Sequence, residues 1–109
     1  MARPKIQPRP GIYEARVNQR GLTFLPRAVQ RYLEAGPGMD IGFRLQPEDG
    51  QLRVYLKNMD NEVVDTPVFL SRFTEAGQVT IPRAVRKVLN MSETIQIEIS
   101  AAGVEVRAI

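Results

Sequence analysis

Basic side chains recur at matching positions in the two halves of this 109-residue chain. The three pairs, each 56 positions apart, are Arg16 and Arg72, Arg27 and Arg83, and Arg31 and Lys87. Guanidinium and ammonium groups donate hydrogen bonds and carry positive charge, so they bind carboxylates and phosphates. The pattern therefore predicts a binding surface for an anionic partner.

Catalytic chemistry has few candidate residues, because the chain contains neither Cys nor His. Zinc would lack both of its favoured ligand types, and the commonest general base is missing. The acidic residues are scattered, and no spacing brings a pair obviously together. We therefore expect no enzyme activity, catalytic residue, metal, cofactor or small-molecule substrate.

The sequence contains no stretch near the roughly 20 apolar residues that cross a bilayer. Arg3, Lys5 and Arg9 lead into no apolar segment, so the amino terminus does not resemble a secretion signal. The lack of Cys fits a reducing compartment. These features predict a protein without membrane contact, located in the cytoplasm and associated with the nucleoid.

The net charge of +3 is unevenly distributed. Up to Lys57 there are ten basic and five acidic residues, whereas five basic and seven acidic residues follow. A basic first half favours an anionic partner. A solvated surface is the alternative interpretation of the charge alone.

An internal repeat organises the chain, because RGLTFLPRAV at residues 20–29 returns as AGQVTIPRAV at residues 76–85. Over twenty aligned positions the identical pairs are Arg16/Arg72, Gly21/Gly77, Pro26/Pro82, Arg27/Arg83, Ala28/Ala84, Val29/Val85 and Leu33/Leu89. Each copy is too short to bury a core alone, so we expect the two copies to fold as one body.

The predicted organisation is a basic, proline-rich arm at residues 1–10, repeat one at 11–57, an acidic linker at 58–67 and repeat two at 68–109. Each repeat shows the order strand, turn, strand, short helix, strand, turn, strand. Period-two alternation, as at Ile95, Ile97 and Ile99, indicates half-buried strands. The sequence thus predicts a mainly β protein with two short helices, with residues 11–109 sharing one core.

Single residues predict where several helices and turns begin or end. Pro26 and Pro82 suit the first position of a helix, where no amide donor is needed. Gly36 is expected to supply a left-handed cap after the first helix, and Asn90 to end the second. Residues 46–50 predict a long turn in repeat one, with Asp-Gly at its tip.

The predicted helices place their basic residues on a polar face, while Ala28, Val29, Tyr32 and Leu33 form the apolar face of the first helix. Duplex DNA has its own pseudo-dyad, which a two-fold surface of arginines would match. The candidate DNA contacts on this ground are Arg16, Arg20, Arg27, Arg31, Arg72, Arg83, Arg86 and Lys87.

The segment GQVTIPRAVR at residues 77–86 closely resembles the core motif of the AbrB/MazE/SpoVT superfamily of DNA-binding transition regulators and antitoxins. The segment GLTFLPRAV at residues 21–29 resembles it less closely. The resemblance implies a swapped-hairpin β-barrel, here completed by two tandem repeats in one chain, and a function in transcription regulation. Carried onto matching positions, it implies DNA contacts by Arg16, Arg72, Arg31, Arg86 and Lys87, with Arg20 one residue from the usual hairpin-tip position.

The chain departs from the family pattern just after the glycine, where a basic residue is common. Gln78 stands there in repeat two and still offers hydrogen bonds to a base or phosphate, so it joins the candidate contacts. Leu22 stands there in repeat one, and Leu22 and Phe24 form an apolar face. Burial beneath the arm and a contact between chains both explain this face. The alternative function is therefore an antitoxin-like or adaptor protein that binds a protein partner or a second copy of itself.

Overall fold

The structure is a computed structural model that describes residues 11–59, 68–90 and 93–108. The predicted arm and most of the predicted linker lie outside the described residues. The elements are β1 (Gly11–Arg16), β2 (Leu22–Phe24), α1 (Arg27–Leu33), β3 (Asp40–Glu48), β4 (Gln51–Asn58), β5 (Val68–Arg72), β6 (Gln78–Thr80), α2 (Arg83–Leu89), β7 (Thr94–Ser100) and β8 (Gly103–Ala108). The prediction of a mainly β protein with two short helices is confirmed.

The two repeats exchange their first strands. A six-stranded antiparallel sheet has the order β1-β7-β8-β4-β3-β5, and β2 pairs with β6 in a separate two-stranded ribbon. Strand β1 of repeat one thus lies against β7 of repeat two, and β5 lies against β3. Interchanging the repeats reproduces the same strand order, so an approximate two-fold relation passes between β4 and β8.

One apolar core fills the inside of this arrangement. The predicted alternation in β7 is confirmed, because Ile95, Ile97 and Ile99 are buried while the residues between them are partly exposed. Val29 of α1 and Val85 of α2 are fully buried in the same core. Helices of seven residues gain little stability from propensity, so this packing must hold them in place.

The predicted long turn at residues 46–50 is wrong. Strand β3 continues to Glu48, and Gln46 and Pro47 still pair with β4. The turn consists of Asp49 and Gly50, with φ values of 50° and 77°. Asp-Gly adopts the two left-handed conformations that a tight hairpin needs, so no longer loop is required.

The helix boundaries differ from prediction by one or two residues. Pro26 and Pro82 have ψ values of 145° and 146°, so they precede the helices instead of beginning them. Glu34, not Gly36, supplies the left-handed residue after α1, and its N–H donates to Arg31 O. Asn90 does so after α2, as predicted. Tyr32 lies 39% exposed instead of in the core.

No helix in the described ranges is long and apolar enough to cross a bilayer.

Candidate nucleic-acid interface

The β2–β6 ribbon has one face toward the core and one toward solvent. Thr23 and Val79 are buried and pair with each other at the centre of the ribbon. Period-two alternation then places the side chains on either side of them on the outer face. This outer face consists of Leu22, Phe24, Gln78 and Thr80.

Two similar turns lead into the ribbon. In the first, the Asn18 side-chain carbonyl accepts hydrogen bonds from the backbone N–H groups of Arg20 and Leu22, both at 2.9 Å. In the second, the Thr74 hydroxyl accepts from the Gln78 N–H at 3.0 Å. Because β2 and β6 are antiparallel, the two turns lie at opposite ends of the ribbon.

Each turn lies next to the helix of the other repeat. A Cβ added at Gly21 would lie 2.9 Å from Cζ and 3.0 Å from Nε of Arg86, which is on α2. A Cβ added at Gly77 would lie 3.8 Å from Nε2 of Gln30, which is on α1. We call the turn at residues 18–21 with α2 the first-turn end, and the turn at residues 74–77 with α1 the second-turn end.

An open cleft of about 690 Å³ runs from the first-turn end along the outer face of the ribbon to Phe24 and Gln78, which pair at the ribbon's other end. It brings together five of the residues predicted from sequence, namely Arg16, Leu22, Phe24, Gln78 and Arg86. The cleft therefore combines two guanidinium groups, one side-chain amide and two apolar side chains. Such a lining suits a ligand that carries negative charge and also offers a flat or apolar surface.

The guanidinium groups of this cleft have no carboxylate partner in the part of the chain that the structure describes. Neither Arg16 nor Arg86 forms an ion pair with a described residue, although Glu93 lines the same cleft. Nε of Arg86 is buried and has no acceptor within residues 11–59, 68–90 and 93–108. Nε of Arg107 is in the same state, so this feature does not distinguish the cleft.

Two arginines on the six-stranded sheet differ from those of the cleft, because each forms an ion pair with a carboxylate. Arg53 pairs with Glu48 at 3.2 Å and with Glu105 at 3.6 Å. A side-chain hydrogen bond with Tyr55, followed by these two carboxylates, raises the pKa of Arg53 above its usual value. Arg107 donates to Glu98 at 3.0 Å. These charges are already compensated within the protein.

Three further predicted contacts lie at the first-turn end but outside the cleft lining. Arg20 is exposed in the turn, and Arg83 and Lys87 are exposed on α2. Arg83 is one helical turn before Arg86, so the two share a face of the helix. The first-turn end thus carries five basic side chains in total.

The remaining predicted contacts lie at the second-turn end. Arg27 and Arg31 of α1 line a shallow depression of about 280 Å³ together with Glu34. Arg72 is engaged by Asp40, with Nε and Oδ1 separated by 3.5 Å. The predicted contacts therefore form two groups at different ends of the ribbon.

The prediction from sequence missed the other four residues of the cleft wall, which are Val17, Asn18, Gln19 and Glu93. Asn18 had a readable signal, because Asn three residues before Gly is typical of a side-chain-capped turn. The proximity of Arg86 to Gly21 had none, since it depends on the exchange of strands between the repeats.

Comparisons with known proteins add little to this geometry. No protein-family model matches the chain, and no match to a curated protein was found. Among solved structures, the chain is similar to the solution structure of PHS018 from Pyrococcus horikoshii, at 18% identity over 89% of this chain and 88% of that one. The TM-score of this match is 0.49.

Proposed function

We propose that this chain is a DNA-binding regulator of transcription, acting in the cytoplasm at the nucleoid. On this proposal its two repeats form a swapped-hairpin barrel of the AbrB type. The observation that carries the proposal is the cleft along the ribbon, where Arg16 and Arg86 form no ion pair with a described residue while Arg53 and Arg107 on the sheet are paired with carboxylates. Unpaired guanidinium groups are available to neutralise phosphates and to release their counterions.

The shape of the surface supports the same partner. The major groove of B-DNA admits a two-stranded β-ribbon, and the β2–β6 ribbon has an accessible outer face. The Gln78 amide on that face offers both a donor and an acceptor, which suits the edge of a base. On this proposal, the arginines beside the ribbon contact the phosphates that border the groove.

Salt dependence of duplex binding tests the proposal. We expect fluorescence anisotropy on a random duplex to give a binding constant that falls steeply with salt. Replacing both Arg16 and Arg86 by Ala is expected to reduce the log–log slope by about 2, because each lost phosphate contact contributes about 0.9.

Arg53→Gln with Arg107→Gln is the matched control, because it also removes two guanidinium groups, each of which is already paired with a carboxylate. It is expected to leave the slope nearly unchanged. Thermal melts of all variants check that they remain folded. A chain that binds no duplex at low salt, or an equal slope change in the control, would contradict the proposal.

One observation favours a second function, an antitoxin-like or adaptor role. Phe24 is 59% exposed on the outer face of the ribbon, next to Leu22, and a partner protein would bury both. Replacing the two residues by Ser would then abolish partner binding or change the oligomeric state, which size-exclusion chromatography with light scattering measures. Under the DNA-binding function the same variant stays at the oligomeric state of the unaltered chain.

A further inference from the structure

The approximate two-fold relation between the repeats assigns each residue of one end a counterpart at the other. Position 20 corresponds to position 76, and position 30 corresponds to position 86, because the repeats are offset by 56 residues. The backbone turns obey this relation closely, with φ values of 84° at Gly21 and 85° at Gly77. Differences between the ends therefore lie in the side chains.

Two basic residues of the first-turn end have neutral counterparts at the second-turn end. Arg20 corresponds to Ala76, and Arg86 corresponds to Gln30. Gln30 is also occupied internally, since its amide donates to the Leu25 carbonyl at 2.7 Å. Two of the five basic side chains are thus replaced by neutral residues at the second-turn end.

Negative charge is distributed the opposite way, because the first-turn end carries Glu93 whereas the second carries three acidic residues, Asp40, Glu75 and Glu34. Asp40 pairs with Arg72, whereas the counterpart of this acid beside Arg16 is Thr94. The second-turn end also carries Glu75 in its turn and Glu34 in the depression lined by α1. A phosphate approaching this end would meet exposed carboxylates and an arginine that is already engaged.

We infer that the chain contacts DNA through the first-turn end alone, and that its target is a short site without inverted symmetry. This inference rests on the proposed DNA-binding function. Two-fold proteins read palindromic sites because both halves make the same contacts. Here the backbone keeps the two-fold relation while the charges break it, so one end binds the duplex and the other faces solvent.

Matched double variants at equivalent positions test this directly. Arg16→Ala with Arg83→Ala removes two charges from the first-turn end, and Arg72→Ala with Arg27→Ala removes their counterparts from the second. We expect the first variant to lower the log–log salt slope by about 2 and the second to leave it nearly unchanged. All four side chains are exposed, so thermal melts are expected to remain close to that of the unaltered chain.

Equal slope losses in the two variants would overturn the inference and leave the proposed function standing. Absence of binding by the unaltered chain at low salt would overturn both.

Selection from a random duplex library gives an independent readout. Enrichment of a non-palindromic sequence is expected, whereas enrichment of an inverted repeat would overturn the inference. Introducing the missing charges, by Gln30→Arg with Ala76→Arg, is expected to raise the salt slope above that of the unaltered chain. No rise would mean that the second-turn end is unable to reach the duplex for reasons other than its charge, and would overturn the charge argument.

Discussion

The two turns that lead into the ribbon have the same backbone and different surroundings. Gly21 and Gly77 share their left-handed conformation, and in both turns the glycine N–H donates to the carbonyl three residues earlier. Yet Gly21 lies under the guanidinium of Arg86, whereas Gly77 lies near the amide of Gln30. The repeat therefore preserves the path of the chain but not the chemistry presented at each end.

This difference separates residues that build the fold from residues that give it a function. Of the seven identities between the repeats, five are Gly, Pro, Ala, Val or Leu, which set turns, helix starts and core contacts. Apart from Arg16, the residues that line the cleft differ from their counterparts, as with Phe24 and Thr80 or Arg86 and Gln30. Repetition thus predicts architecture, and divergence indicates where one end has acquired a separate role.

The largest expected effect concerns the core position after the first strand of each repeat. Phe73 and Val17 are equivalent, and both are buried. Phe73→Ala is expected to lower the free energy of unfolding by about 3–5 kcal/mol, because it removes an aromatic ring and leaves a cavity. Val17→Ala removes two methyl groups and is expected to cost about 2 kcal/mol. Guanidinium denaturation measures both, and equal losses would contradict this difference in core contribution.

The two turn glycines give the next effect. Placing a Cβ in the left-handed region costs about 1–2 kcal/mol at either position. Gly21→Ala is expected to cost about 1 kcal/mol more than Gly77→Ala, because its Cβ would also lie 3.1 Å from the Ile81 carbonyl oxygen and displace Arg86.

Denaturation midpoints compare the two glycine variants, and duplex binding supplies a second readout. Gly21→Ala should weaken binding by moving the Arg86 guanidinium, while Gly77→Ala should not. Equal effects of the two variants on both measurements would mean that the different surroundings of the two turns affect neither stability nor DNA binding.

The sequence correctly predicted structural features that depend only on residues close together along the chain. The alternation of Ile95, Ile97 and Ile99 and the left-handed stop at Asn90 are local signals, and the structure confirms both. The exchange of β1 and β5 between the repeats could not be derived from local patterns, because it depends on the sheet as a whole.

The candidate site shows the same division. Sequence identified Arg16 and Arg86 as basic residues with matching or repeated context, but not that they would share a cleft. Nor did it indicate that Asp40 would pair with Arg72. Both facts require side chains from different repeats to meet, so the charge of each half of the sequence does not give the charge of each end of the fold.

An exchange of Asp40 and Thr94 would reduce the charge difference between the ends. Thr94→Asp is expected to pair with Arg16 and to lower the salt slope of DNA binding by about 0.9. Asp40→Asn frees Arg72, but Glu75 and Glu34 remain nearby, so a smaller change is expected. The Arg72–Asp40 pair is 75% and 41% exposed, so its loss should change the unfolding free energy by less than about 0.5 kcal/mol. A Thr94→Asp variant with unchanged binding would exclude Arg16 as a phosphate contact.

The smallest expected effect belongs to Phe24, and it separates charge from apolar contact. Phe24→Thr gives repeat one the residue that repeat two has at the equivalent position. Because this side chain is largely exposed and carries no charge, the variant is expected to shift unfolding by less than about 0.5 kcal/mol and to leave the salt slope unchanged. Anisotropy titrations at several salt concentrations measure the salt slope of DNA binding separately from the affinity at any one salt concentration. A parallel loss of affinity at every salt concentration would indicate that Phe24 packs against the DNA, whereas a changed slope would mean that the ring positions the arginines beside it.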